Sequence, residues 1–439
     1  MKESSQSDHR QHRVPLVPFS SPGSFFHMHR ISLAFLLTIC CSSYVASADD
    51  PSATFLSYTG NDLFPSYIIA TATVDWNGDE QRAEDKKTDE DPELDEDEIP
   101  LFGDENGSIG VEIENVPEGA KITVEITGDG FLKKSKWEGE SDDDYDVIHV
   151  YPKARWDYDA LRRCVQQKPA NLKIRVFIDE IVITEIDETV LLRSINDCPF
   201  YVKLDDDGED LEDISVTFAA YVNENHPWID GLLKEALSAA KEQELINGFT
   251  GYQSGSQDEV LSQVFAIWNA LQRRGIKYSD VSTAPPSKFV YSQTVRFLDD
   301  TVQSSQANCV DGSVLMASIL RRIGLDAYLV MVPGHCFLAF SDGNKENPTL
   351  FGLETTMLGS DNLKPVVELP KLPSKLKQKE FVASHATFVS ALEAGKSQIT
   401  EHAEAFKSND DPDRQLISIS GARAMGVMPL GAESAKSPR

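Results

Sequence analysis

Long apolar runs are scarce in this sequence of 439 residues. The run over residues 31–39 is short, and no later stretch approaches the roughly 20 apolar residues that a membrane-spanning helix requires. The sequence therefore predicts no stable insertion into a membrane. The short run instead follows His29 and Arg30 and precedes the small residues 46–48, which is the order of a secretory signal peptide.

We therefore expect residues 1–48 to be an N-terminal extension with a signal peptide and Met28 to be the start of translation. The mature protein is then periplasmic or extracellular. A lipid anchor on Cys40 is the competing interpretation. The residue before a lipidated cysteine should be small, whereas Ile39 occupies that position.

Basic residues are also few, because 41 Lys and Arg stand against 71 Asp and Glu and give a net charge of −30. Removing residues 1–48 takes away four basic and two acidic side chains and leaves −32. Such a surface repels nucleic acid and anionic lipid. The sequence therefore predicts no nucleic-acid partner.

Cysteine is rare, and only Cys164, Cys198, Cys309 and Cys336 follow the signal peptide. The last two lie in a reactive region, which leaves Cys164 and Cys198 as candidates for one disulfide in an oxidising compartment. The alternative is two separate buried thiols.

Residues 49–218 have the pattern of a β-sandwich-like domain, with short alternating or β-branched segments separated by Gly, Pro and Asp turns. An acidic insertion over 79–105, nearly free of apolar residues from 79 to 98, is predicted to be disordered. One helix is predicted over 157–164. The predicted strands are 66–74, 110–114, 121–126, 147–150, 171–178 and 183–186.

Acidic tracts at 142–144 and 205–207 invite a calcium interpretation, because hard cations prefer clustered carboxylates. The second tract fails the EF-hand pattern, since Lys203 stands at its first ligand position. Solvated loops are the favoured explanation, and no metal site is predicted.

From residue 225 the pattern becomes helical. Pro227 suits a first helical position, so Asn225 or His226 is expected to cap a helix. His226 could also be a catalytic base, but its place at a helix start favours capping. A second helix is predicted from about residue 258 to the stop at Gly275, followed by a short strand over 276–278.

The most informative segment is the pentapeptide over residues 308–312, which opens an apolar helix ending at Gly324. Cys309 at the helix start lies at the positive end of the helix dipole, near backbone N–H groups, and both favour thiolate over thiol. A buried strand over 327–332 and a turn then lead to His335. A further strand from residue 350 ends at Glu354, which we expect beside His335.

A thiol, an imidazole and a carboxylate in this order are the parts of a nucleophile, its base and the group that orients the base. Because side chains alternate along a strand, Cys336 should belong to the core if His335 faces Cys309. Each residue alone has an ordinary structural explanation. Cys309 at a helix start, His335 at the start of one strand and Glu354 at the end of the next strand together favour a catalytic triad.

These motifs, together with the strand over 276–278, resemble the core of the transglutaminase-like superfamily of papain-type cysteine enzymes. The chain resembles exported bacterial members of this superfamily that have an N-terminal β-domain. The resemblance itself covers residues 258–360. It implies an α+β fold, with Cys309 as nucleophile, His335 as general base and acid, and Glu354 as the orienting group. It assigns residues 219–370 to the transglutaminase-like domain.

Two positions depart from the family pattern, namely Glu354 where the family usually has aspartate followed by Pro-Thr, and Cys336 after the histidine. Gln303, six residues before Cys309, is a candidate oxyanion donor by analogy with papain-type enzymes. Gln306 is its rival, and a plain surface loop is the alternative for both.

The resemblance implies hydrolysis of peptide or amide bonds in a protein or peptide substrate, through an acyl-thioester and with no cofactor. The alternatives are a glutamine cross-linking transglutaminase and an inactive binding or structural relative. Oligomeric state is left open. Residues 371–439 are predicted to be a helical C-terminal extension, with an amphipathic helix over 383–406 and a disordered tail over 432–439.

Overall fold

The computed structural model describes residues 50–74, 99–204, 210–280, 284–344, 348–360, 379–408 and 414–431. The predicted signal peptide, the acidic stretch 79–98, the tract 205–207 and the tail 432–439 lie outside these residues. The chain is 33% helix and 34% strand, which confirms a mixed fold of helices and several sheets compatible with the α+β class.

The first strands of the chain form two sheets. One has the order β1-β4-β7-β3 and the other β2-β10-β9-β5-β6-β8. Buried side chains from both sheets belong to one hydrophobic cluster. The strands are β1 Ser52–Ser57, β2 Asp62–Leu63, β3 Leu101–Gly103, β4 Ile109–Val116, β5 Lys121–Gly128, β6 Leu132–Glu140, β7 Tyr145–Tyr151, β8 Arg155–Trp156, β9 Lys168–Ile178 and β10 Ile181–Leu192.

Alternation explains these strands. In β5, Ile122, Val124 and Ile126 are buried while the residues between them are more exposed, as the sequence pattern predicts. The predicted strands at 110–114, 121–126, 147–150, 171–178 and 183–186 are confirmed. β3 lies inside the predicted acidic insertion and pairs in parallel with β7, so the last part of that insertion is sheet.

The later strands form three further sheets, with orders β12-β11-β14, β13-β15 and β18-β17-β16-β19. The three-stranded sheet joins the two halves of the chain, which are the residues before and after residue 218, because β11 lies in the first half and its partner β14 lies in the second. These strands are β11 Asp197–Lys203, β12 Leu211–Asp213, β13 Lys277–Tyr278, β14 Val290–Thr294, β15 Gln306–Ala307, β16 Ala327–Val332, β17 His335–Ser341, β18 Leu350–Leu353 and β19 Gln415–Ser418.

The helices flank these sheets. They are α1 Pro65–Ala70, α2 Tyr158–Arg162, α3 Pro227–Glu242, α4 Gln257–Arg273, α5 Leu298–Ser304, α6 Cys309–Arg322, α7 Lys379–Glu401, α8 Ala403–Ser408 and α9 Ile419–Ala424, with short 3-10 helices at Ser215–Tyr221 and Thr355–Met357. His226 caps α3 by accepting from the Trp228 N–H at 3.3 Å, so the capping prediction is confirmed.

The predicted strand over 66–74 is wrong. Pro65 occupies the first turn of α1, where its missing N–H costs nothing, and Ile68, Ile69 and Ala70 are buried. A short continuous apolar run cannot be distinguished from a buried helix by its period. Ser66 Oγ donates to the Asp197 carbonyl at 2.5 Å, which fixes the helix against β11.

Of the two alternatives for Cys164 and Cys198, the structure has the separate thiols, since both are free and buried. The Cys164 Sγ donates to the Arg193 carbonyl at 3.3 Å. Burial raises the pKa of both thiols, which keeps them uncharged.

The C-terminal region is not only helical. α7 packs against α4 and β18, as an amphipathic helix should, but β19 pairs antiparallel with β16 and extends the sheet that carries His335. The closest approach is between Gly352 and Gly395, where a Cβ on Gly352 would lie 2.5 Å from the opposite backbone. None of the helices in the described ranges is long and apolar enough to cross a membrane.

Candidate active site

The nucleophile candidate lies in the first turn of α6. Asn308 caps this helix by accepting from the Asp311 N–H at 2.8 Å, and the Asp311 carboxylate accepts from the Asn308 N–H at 3.1 Å. This reciprocal capping box defines where the helix begins. Cys309 is therefore the first helical residue and is half-buried. The first N–H groups of a helix have no partner within the helix, so they are available to an anion there.

The base candidate begins β17. Gly334, with φ of 71°, allows the tight turn between β16 and β17, and His335 pairs with Val332 across it. Glu354 follows the last residue of β18, which is antiparallel to β17. The His335 Nε2 and a Glu354 carboxylate oxygen are 2.5 Å apart. The structure therefore brings these two predicted residues together.

The Cys309 thiol completes the group, because it is a hydrogen-bond partner of the His335 side chain. Burial lowers the pKa of His335, but the hydrogen bonds to Cys309 and Glu354 and their negative charges outweigh it and raise the pKa to about 10. The imidazole is thus held in its charged form at neutral pH.

Glu354 is fixed from three sides. Its second carboxylate oxygen accepts from the Thr356 N–H at 3.0 Å and from the Thr356 hydroxyl at 2.6 Å. Its own N–H donates to the Ala391 carbonyl of α7 at 3.1 Å. Burial raises the pKa of Glu354, but the bonds to His335 and Thr356 produce a net lowering, which keeps the carboxylate charged.

Cys336 lies in the core, as the alternation argument predicts. It shares the buried face of β17 with Leu338, in the cluster that contains the inner side chains of α6. His335 is on the other face with Phe337, and their ring centroids are 6.2 Å apart. Burial, followed by the nearby charge of Cys309, raises the pKa of Cys336 well above its ordinary value. Cys336 is therefore an uncharged thiol beside the site.

Two hydroxyl groups connect α6 to the segment after Glu354. Ser313 Oγ donates to the Cys309 carbonyl at 2.7 Å and lies 3.2 Å from Thr355 Oγ1. The Thr355 hydroxyl is also 3.5 Å from the Cys309 carbonyl, which adds a polar contact between this segment and the start of α6.

Tyr278 also borders the site, although its sequence position predicts only a place in a strand. β13 pairs in parallel with β15, which places Tyr278 opposite Ala307, two residues before Cys309. The side chain is 46% exposed. Burial and the negative charges of Asp280, Cys309 and Glu354 raise the pKa of Tyr278, so its hydroxyl remains a donor at neutral pH. Local sequence does not indicate this position, because it depends on the pairing of β13 with β15.

Gln303 is placed elsewhere. It is exposed near the end of α5, because Ser305, with φ of 55°, turns the chain there. It lines a groove of about 740 Å³ between the 165–167 turn and α5, and none of the three triad residues lines that groove. The Gln306 carbonyl accepts from the Arg296 guanidinium at 3.3 Å. The oxyanion role predicted for Gln303 therefore gains no geometric support.

The acidic side chains of the 142–144 tract accept hydrogen bonds from neighbouring groups. The Asp142 carboxylate accepts from the Tyr145 hydroxyl at 2.6 Å, and the Asp144 carboxylate accepts from the Glu118 N–H at 2.8 Å. Within the ranges that the structure covers, no three His, Cys, Asp or Glu side chains are grouped to hold a metal ion.

A scan against models of known protein families finds no match to the chain. A search of curated proteins finds no significantly similar sequence. A thiol at a helix N-terminus, bonded to an imidazolium that a buried carboxylate holds in place, is an arrangement for nucleophilic attack on a carbonyl.

Proposed function

We propose that this protein is an exported cysteine enzyme of the transglutaminase-like class that hydrolyses peptide or amide bonds. In this proposal a β-sandwich-like domain precedes a papain-type α+β domain. The observation that carries it is His335, which is bonded to the Glu354 carboxylate at 2.5 Å and is a hydrogen-bond partner of Cys309. The resemblance of residues 308–312 and 353–356 to the family motifs is the second support.

In the acylation step, the Cys309 sulfur attacks the carbonyl carbon of the substrate and a C–S bond forms. The carbonyl electron pair moves to oxygen, where N–H groups of the first turn of α6 can stabilise it. Tyr278 is a further candidate donor to that oxygen. When the C–N bond breaks, the His335 imidazolium gives its proton to the departing amine. The product is an acyl-thioester on Cys309.

In the deacylation step, water attacks the thioester carbon while His335 accepts its proton. The C–S bond then breaks, the acid is released, and the Cys309 thiolate and the His335 imidazolium are restored. Glu354 remains charged throughout and stabilises the imidazolium. An amine in place of water gives cross-linking through the same intermediate, so the acceptor alone separates the two reactions.

The negative charge of the protein favours neutral or basic substrates over acidic ones. A net charge of −30 attracts basic segments and repels acidic ones. We therefore infer that neutral or basic protein segments are the substrates, outside the cytoplasm.

The test begins with Cys309 itself. Iodoacetamide should alkylate Cys309 at pH 7 much faster than it alkylates a free thiol, as measured by mass spectrometry of the Cys309 peptide. Casein should then be cleaved by the wild-type protein and by Cys164→Ala, whose buried thiol lies away from the site, but not by Cys309→Ala.

The acceptor is identified in the same assay with a fluorescent primary amine. Incorporation of the amine into casein without cleavage would replace hydrolysis by cross-linking as the function. If Cys309 reacts no faster than a free thiol and neither reaction occurs, the enzyme proposal is wrong and the inactive binding relative is favoured.

A further inference from the structure

Arg296 joins the three-stranded sheet β12-β11-β14 to the start of α6. It follows β14, the strand that pairs with β11 across the middle of the chain. The preceding residue, Val295, is bonded on both sides by Asn196. The Val295 N–H donates to the Asn196 carbonyl at 2.7 Å, and the Asn196 side-chain amide donates to the Val295 carbonyl at 2.8 Å. The position of Arg296 is thus set by the first half of the chain.

Arg296 then makes three contacts around the turn that precedes Cys309. Its N–H donates to the Asp311 carboxylate at 2.8 Å, and its guanidinium lies 3.4 Å from the second carboxylate oxygen. The guanidinium also donates to the Gln306 carbonyl at 3.3 Å. These contacts hold both sides of the turn, one before Asn308 and one after it.

Asp311, the carboxylate that Arg296 contacts, is buried at the start of α6. It is 1% exposed and is the reciprocal member of the capping box that begins this helix. Burial raises the pKa of Asp311, while hydrogen bonds from the N–H groups of Arg296 and Asn308 and the charge of Arg296 act against that rise. A buried negative charge two residues from Cys309 opposes a thiolate. The positive charge of Arg296 offsets it.

We propose that Arg296 is a positioning residue for the nucleophile. It neutralises and orients Asp311, so that the capping box holds Cys309 towards His335 and the sheet β12-β11-β14 controls the reactivity of the thiol. This inference deepens the proposed function and rests on it, because it concerns how the same Cys309 is activated.

The titratable groups around the start of α6 come from several elements. His335 and Cys336 of β17 and Tyr278 of β13 interact with Cys309, Glu354 after β18 acts on His335, and Asp311 belongs to α6 itself. Asp300 of α5 acts on Asp311 and adds to its unfavourable charge environment. Arg296 is the cation bonded to the capping box, so its removal changes the charge balance at the start of α6.

The experiment measures the rate of Cys309 alkylation by iodoacetamide from pH 5 to 10 in the full chain. Iodoacetamide is uncharged, so the surface field does not change its approach. Arg296→Met should reduce the rate at pH 7 about three- to tenfold and move the profile up by about half to one pH unit. Arg296→Lys, which keeps the charge but not the planar fork, should recover part of the rate.

Arg322→Met is the matched control. Arg322 lies in the last turn of the same helix and pairs with both oxygens of Asp230 at 2.9 Å. Losing that pair should leave the alkylation profile unchanged. Asn196→Ala removes one of the two bonds to Val295 and should shift the profile in the same direction as Arg296→Met, by a smaller amount.

The outcomes separate the two proposals. If wild-type Cys309 is no more reactive than a free thiol, the proposed function is wrong, and the inference that rests on it is wrong as well. If wild-type Cys309 is reactive and folded Arg296→Met has the same profile, the role of Arg296 is overturned and the proposed function stands. If Arg296→Met does not fold, the alkylation profiles of Arg296→Lys and Asn196→Ala test the role of Arg296. The inference is overturned if both profiles equal that of the wild-type protein.

Discussion

Glu354 uses its two carboxylate oxygens for different partners. One oxygen faces His335 Nε2, and the other accepts two hydrogen bonds from Thr356. These contacts fix the carboxylate against the imidazole, so its negative charge stays next to Nε2.

Glu354→Gln removes the charge that His335 faces. We expect the pKa of His335 to fall from about 10 towards its ordinary 6.5, although the hydrogen bond to Cys309 opposes part of the fall. NMR titration of the imidazole protons measures this change. Turnover should also decrease, because the imidazolium that forms during attack loses its partner.

The same pair predicts a dependence of stability on pH. The folded-state pKa of His335 lies above the unfolded value, so its contribution is present below pH 6.5 and is lost as pH rises towards 10. The pKa of Glu354 is lowered, so its contribution is lost in acid, below its ordinary 4.5. The wild-type advantage over Glu354→Gln in unfolding free energy should therefore peak between these values. Glu354→Asp should keep most of it, and an equal advantage at pH 10 would contradict the assignment.

At the scale of residues, local sequence predicted Cys309, His335 and Glu354, because each lies at a recognisable element boundary. Tyr278 and Arg296 were not predicted as site residues. Tyr278 reaches the site through the parallel pairing of β13 with β15, and Arg296 reaches it by bonding a carboxylate fifteen residues ahead. Such contacts depend on how distant segments pack, and no local pattern encodes them.

At the scale of elements, the start of α6 depends on its cap. Asn308→Ala removes the oxygen that accepts from the Asp311 N–H and should lower the free energy of unfolding by about 1 kcal/mol. Ser418 caps α9 in the same way at 3.1 Å, so Ser418→Ala is a matched control with a similar cost. Chemical denaturation measures both. Cys309 alkylation should slow only in Asn308→Ala, and equal slowing in both variants would argue against a local effect.

Elements with strong local signals were predictable, and elements formed by distant pairing were not. α3 and α6 begin at capping side chains, α4 and α6 end before the positive-φ residues Gly275 and Gly324, and all three helices have apolar faces. β14 and β19 are four or five residues long and exist because β11 and β16 provide partners from elsewhere in the chain. The error at α1 has a local origin, since its apolar run fits either a strand or a helix until Pro65 is considered.

At the scale of the whole molecule, Arg193 links the two halves of the chain. Its side chain is fully buried, with Asp197 at 3.3 Å and Asp62 at 3.4 Å. The guanidinium also donates to the carbonyls of Pro285 and Pro286, which belong to the second half. A cation at this point satisfies groups from both halves, so the sheets around β11 and the segment leading to Arg296 form one unit.

Arg193→Met should therefore destabilise the protein far more than a surface substitution. It leaves two poorly exposed carboxylates without their cation and two proline carbonyls without the guanidinium donor, at a cost of roughly 3–5 kcal/mol in the free energy of unfolding. Arg175→Met is the matched control, since Arg175 pairs with Glu185 at 2.9 Å in an exposed position and its loss should cost about 1 kcal/mol or less. Urea denaturation of both variants measures the difference. Because Arg296 depends on the same junction, Cys309 alkylation in folded Arg193→Met should also slow, whereas equal stability of the two variants would show that Arg193 does not join the halves.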